Sequence, residues 1–130
     1  MIAQGAEVYI TSRNPTVIPG ATVIDGIDVQ DNTCGGKLAK ALDGKPIDIL
    51  INNAGYFYGP VEKIDSLNFE EELKMIDICA VGVLRVTSAL YNANLLPKSS
   101  KVSVLSYYII LYIYYIYTYI CYICVLNSSY

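Results

Sequence analysis

The turn Asn52-Asn53-Ala54-Gly55 is where residue types and spacing in this sequence could do chemistry. Two carboxamides, each with a donor and an acceptor, precede two small residues, so a flat polar ligand could approach the backbone while an Asn side chain hydrogen-bonds to it. An Asx-type turn without a ligand is the plainer reading of the same residues. Upstream, Arg13 follows a β-branched run and offers a planar fork of donors suited to a phosphate. Asp28-Val29 offers an acceptor beside an apolar contact, although an isolated loop acid is ordinarily just solvated surface.

Other chemistries are excluded by composition. The 130 residues contain no His, which removes imidazole bases and His-ligated metals and leaves Tyr, Lys, Ser, Asp, Glu and Cys. Cys121 and Cys124 form a C-x-x-C, but Cys34 and Cys79 lie in unlike contexts, so four ligands for a metal are not in evidence and the cysteines read as reduced thiols. A net charge of -3, from 9 basic and 12 acidic residues, supplies no basic stripe, so nucleic acid is not an expected partner.

The elements that must position these residues are legible as far as Leu105. Four β-branched runs bounded by Gly, Asn or Pro predict strands over Glu7–Ser12, Ala21–Asp25, Ile47–Asn52 and Lys101–Leu105. Leu38, Ala41 and Leu42 predict a short helix over Gly36–Leu42 that stops at Gly44. A longer helix begins at the Asn68/Glu71 capping box, carries Glu70, Glu71 and Glu72 at the positive end of its dipole, and ends before Pro97. Its expected apolar face is Leu73, Ile76, Ala80, Val83, Leu84, Thr87 and Leu90. Nearly apolar strands alternating with helices predict an α/β domain, a partial Rossmann-type parallel sheet with helices on both faces, over residues 1–106.

The stretch DILINNAG, with GAEVYITSRN before it and EEELKMIDICAVGVLRVTSAL after it, resembles the short-chain dehydrogenase/reductases over about residues 3–106. The resemblance implies an NAD(P)-dependent oxidoreductase acting on a small carbonyl or alcohol substrate in a cytoplasmic setting. It implies that Asn52 braces the sheet, that Asn53, Ala54 and Gly55 line the adenosine ribose side, and that Asp28 and Val29 contact the adenine. Arg13, where an acid would select NAD, favours the 2'-phosphate of NADP. The family's glycine-rich pyrophosphate turn would precede Met1, so the resemblance predicts a sheet lacking its central strand, with a gap between the first two strands and the last two. No Tyr has Lys four residues on, Tyr107 stands where the catalytic Ser is expected with Ser106 one position early, and Cys79 stands for a common Asn. No catalytic residue is therefore assigned, and the chain is expected to be inactive as it stands.

All charged residues lie between Glu7 and Lys101, and residues 107–130 form an apolar tail rich in Tyr and Ile. Its uncharged run of residues 107–126 has the length of a transmembrane segment, while its tyrosines suit the headgroup level and its β-branched content suits a strand. A membrane anchor, a soluble element and translated non-coding or frame-shifted sequence all remain open. The anchor reading carries the alternative function, a membrane-anchored, non-catalytic binding or interaction protein.

Overall fold

The structure, a computed structural model, describes residues 5–58, 63–105 and 123–127. In chain order the elements are β1 (Glu7–Ser12), β2 (Thr22–Asp25), α1 (Cys34–Leu42), β3 (Ile49–Asn52), α2 (Phe69–Ile76), a π-helical turn (Asp77–Val81), α3 (Gly82–Asn92), β4 (Lys101–Val104) and β5 (Ile123–Asn127). The strands form one sheet in the order β2-β1-β5-β3-β4. β1 pairs with β2 and β3 with β4, both in parallel, as in a partial Rossmann-type α/β arrangement.

The expected central gap is closed. β5 lies between β1 and β3 and runs antiparallel to both, with Ile10 and Ile51 opposite Cys124, and Glu7 and Ile49 opposite Asn127 and Leu126. The rows of amides and carbonyls predicted to be unpaired on β1 and β3 are met by the last strand of the same chain, which satisfies the demand that buried backbone groups be bonded. Five residues counted in the sequence with the apolar tail thus belong to the sheet. Residues 106–122 and 128–130, with Ser106, Tyr107 and Cys121, lie outside the described residues, as does the proposed anchor except for its last four residues, 123–126, which belong to β5. No helix among the described residues is long and apolar enough to cross a membrane.

Helices α1 and α3 pack side by side. Gly35 on α1 meets α3 so closely that an added Cβ would stand 2.3 Å from the Ala89 Cβ and 2.9 Å from the Arg85 carbonyl oxygen. Around this contact Cys34, Leu38, Leu42, Leu50, Val86 and Leu90 are fully buried, joined by Tyr9, Ile27, Val29, Ile47 and Ile78. Burial pushes the Cys34 thiol up from its ordinary pKa, with a further push from the Asp31 carboxylate.

The long helix departs from its expected face. Asn68 caps it, its Oδ1 accepting from the Glu71 amide at 3.3 Å, but the inward residues are Ile78, Gly82, Val86 and Leu90, four apart. Leu73, Ile76 and Leu84, expected inside, are more than half exposed. Leu73 and Ile76 lie on α2, which buries none of its residues, and Leu84 follows the π-helical turn, whose wider turn shifts later residues around the axis.

Candidate functional site

The carboxyl ends of β1 and β3 bring the sequence's candidate residues together. Thr11 and Arg13 come from β1 and the turn after it, Asp28 and Val29 from the loop after β2, and Ala54 from the turn after β3; with Ile27 and Ile78 they line one narrow cleft of about 10 Å³, so a ring could lie only across its mouth. Asn53, half-buried, and Gly55, exposed, flank Ala54 in the chain but are not among the lining residues. The cleft therefore unites four of the six expected positions.

Local hydrogen bonding explains the placement. The Ile27 amide donates to the Ser12 carbonyl at 3.0 Å, which carries the β2 loop over the end of β1. Asp28 Oδ1 accepts from the Gln30 amide at 3.0 Å and its carbonyl accepts from the Asp31 amide at 3.0 Å, a tight Asx-type turn that fixes Val29 against Gly82. A Cβ on Gly82 would stand 2.9 Å from the Val29 Cβ, so the helix reaches this loop only because Gly82 has no side chain. Arg13 is exposed and makes no hydrogen bond or ion pair among the described residues, leaving its guanidinium available. Asn52 is 3% exposed; its Nδ2 donates to Thr87 Oγ1 at 3.4 Å and its carbonyl accepts from the Leu105 amide, so it ties β3 to α3 and β4 rather than facing the cleft.

Two features escaped the sequence. Arg85 on α3 is the hub that holds the Asp28–Asn32 loop: its Nε donates to Asn32 Oδ1 at 2.6 Å, one terminal nitrogen donates to the Val29 carbonyl at 3.1 Å, and the other donates to Asp77 Oδ1 at 2.7 Å. Gln30 Nε2 donates to the second Asp77 oxygen at 3.2 Å. Hydrogen bonding from Arg85, then from Gln30, holds the Asp77 carboxyl below its usual range. Because its folded pKa is depressed, this carboxylate contributes stability that is present above the unfolded value and is lost as pH falls through the folded one. Replacing Arg85→Met should lower the urea midpoint at neutral pH with an unchanged slope. The deficit should narrow as pH falls from about 5 to about 2, where the parent loses the same contribution; a deficit constant across that range would show that the ion pair contributes nothing.

The second feature is a pair of Tyr/Lys contacts that no i,i+4 search finds. Lys74 Nζ sits 4.2 Å from the Tyr56 ring centroid, and Lys45 Nζ lies against Tyr9, with Glu7 bonded to both. The Tyr9 hydroxyl accepts from Lys45 Nζ and donates to the Glu7 carboxylate. The Tyr56 hydroxyl donates to the Glu71 carboxylate, which pushes its pKa up against the smaller opposing pull of Lys74. The Cys79 thiol donates to the Tyr56 carbonyl at 3.7 Å, a bracing contact in the place where an Asn was expected. No cluster of metal-ligating side chains occurs among the described residues. A larger apolar groove of about 640 Å³ between α3 and β4 contains none of the six candidate residues.

The direction of β5 bears on the same edge. In a doubly wound sheet the central strand runs toward the ligand and delivers a helix N-terminus to its phosphates. Here β5 runs the other way, so its carboxyl end lies beside Glu7 and Ile49, at the edge opposite the cleft.

No protein-family model matches the chain, and no curated protein matches it. Solved structures do. A carbonyl reductase from Pseudomonas aeruginosa PAO1, solved in complex with NADP, is 25% identical with a TM-score of 0.68 over 81% of this chain and 51% of its own. Serine dehydrogenase from Escherichia coli is 26% identical with a TM-score of 0.56, covering 71% of this chain and 46% of its own. A Burkholderia multivorans protein described as a short-chain dehydrogenase/reductase, solved with bound NADP, is 24% identical with a TM-score of 0.59. The chain spans about half the length of the carbonyl reductase structures it matches. These likenesses show that its described part has a short-chain dehydrogenase/reductase-like α/β fold.

Proposed function

We propose, from that fold as premise, that the chain carries the adenosine-side half of an NADP(H) site belonging to an oxidoreductase of small carbonyl or alcohol compounds, and that by itself it binds rather than reacts. The observation that carries this reading is the convergence of Arg13, Asp28, Val29 and Ala54 on one cleft at the carboxyl edge of the sheet. Asp28 and the apolar Val29 suit an adenine, and the exposed Arg13 fork suits a 2'-phosphate. When bound, the nicotinamide group would supply hydride chemistry; the residues described here would hold and orient its distant end. Both tyrosines that touch a lysine, Tyr9 and Tyr56, donate to carboxylates and neither lines the cleft, so neither is assigned the accompanying proton.

Calorimetric titration tests this without requiring turnover. Affinity for 2',5'-ADP should be on the order of millimolar, since oriented amides for a pyrophosphate are absent from the described cleft. It should exceed that for AMP, and Arg13→Glu should abolish the preference by setting a carboxylate against the phosphate. Equal affinities for the two nucleotides in the parent chain, or an unchanged preference in the variant, would remove Arg13 from the site. Protein-dependent NADPH oxidation with a carbonyl compound would instead show that a proton donor exists outside the residues named here.

A further inference from the structure

The slot that β5 fills has walls fixed by something other than β5. Helix α1 follows β2 and α3 precedes β4, so the Gly35–Ala89 contact clamps the β2-β1 half of the sheet to the β3-β4 half. Between the clamped halves β1 and β3 run parallel to each other, each presenting a row of backbone groups to β5 over four registered residue pairs. Two antiparallel spacings of about 4.8 Å leave room between them for one strand. The walls opposite β5 are Val8, Tyr9 and Ile10 on one side and Ile49, Leu50 and Ile51 on the other, uncharged throughout; Glu7 stands at the open end opposite Asn127. An occupant must therefore be extended, antiparallel and uncharged, with a polar residue at its carboxyl end. Ile123–Asn127 has each of these properties.

We propose that this slot is a strand-receiving site, and that Ile123–Asn127 of a second copy of the chain can occupy it, giving a reciprocally exchanged dimer. This goes beyond the nucleotide reading and does not depend on it. β5 is the last element of the chain in sequence and the central one in space, and it follows its partners on β1 and β3 by 71 to 120 residues (123 − 52 and 127 − 7). Pairings that distant in sequence carry a high loop-closure cost, which gives a second chain's strand the opportunity to make them first. A strand from a second copy makes the same backbone pairs in the same register. Only the covalent link through residues 106–122 distinguishes the two, and an effective concentration on the order of millimolar is taken for a linked segment. Exchange between identical elements is a low-cost route to a dimer for this reason.

The register supplies the experiment. Cys124 is opposite Ile51 on β3 and Ile10 on β1, so the full chain carrying Ile51→Cys can record which chain's strand fills the slot through a disulfide from the new thiol to Cys124. Chains are refolded, oxidised, sized by gel filtration and mapped by mass spectrometry; Ile10→Cys, across the other wall, serves if the first variant folds poorly. The dimer fraction should be about one half after refolding at about 1 mM and about one hundredth at about 10 µM, following the ratio of chain concentration to effective concentration. In the dimer the link should join two chains, and in the monomer it should lie within one. Monomers at both concentrations, dimers whose links stay within each chain, or the absence of any link to Cys124 would each overturn the proposal.

Discussion

Val125→Pro abolishes cooperative unfolding, or lowers the urea midpoint severely, although the substitution lies beyond every residue proposed for the cleft. Val125 is opposite both Tyr9 and Leu50, so it sits at the centre of a strand bonded on two sides. Proline removes the backbone donor and brings a ring that interior strands do not accept. Each buried backbone group left without a partner costs about 1 to 3 kcal/mol, and a domain has only about 5 to 15 kcal/mol to lose. Ending the chain after Leu105 is the harsher form of the test: β1 and β3 would face an empty slot, and water would enter beside Tyr9 and Leu50. Near-ultraviolet dichroism and urea titration read both. A shortened chain that unfolds cooperatively at the parent midpoint would show that β5 adds nothing to the fold.

Two adjacent glycines should respond with opposite sign. An alanine methyl at Gly35 would meet the Ala89 Cβ at 2.3 Å and the Arg85 carbonyl oxygen at 2.9 Å. Neither contact is the far end of a flexible side chain, so α1 must move off α3. Overpacking of this kind costs about 1 to 3 kcal/mol, more than the roughly 1 kcal/mol that alanine gains over glycine in a helix. Gly36 is exposed and an added Cβ there meets nothing within 4 Å, so Gly36→Ala keeps the propensity gain without the clash. Thermal unfolding of the two variants should move the midpoint down for Gly35→Ala and up for Gly36→Ala. Equal shifts would mean that the α1–α3 contact is looser than described.

What the sequence discloses follows from how local each signal is. β1 to β4 were legible because Gly, Asn and Pro punctuate β-branched runs, and the observed bounds differ by at most two residues. The helix after β3 was legible as a helix but not as three segments, because no proline or glycine before Gly82 marks the π-helical turn that rotates Ile78, Gly82 and Val86 inward. β5 was illegible for the opposite reason. Ile123–Asn127 sits in an unpunctuated run of Tyr and Ile, and what makes it a strand is a vacancy between residues more than 70 positions earlier. Arg13, Asp28, Val29 and Ala54 were named because the resemblance extends to those positions, and they share one cleft, while Arg85 carried no signal in the sequence because its contacts with Val29, Asn32 and Asp77 arise only in the fold.

The seam that shields Cys34 also has a chemical consequence. Alkylation and oxidation require a thiolate that a reagent can reach, and Cys34 is fully buried with its ionisation opposed by that burial. Cys79 is only half-buried, so a reagent reaches it while the fold stays closed. Whenever α1 lifts from α3, Cys34 becomes ordinary thiol surface. Under excess reagent its labelling rate is then set by how often the seam opens, which makes this residue a built-in clock for the breathing of the fold.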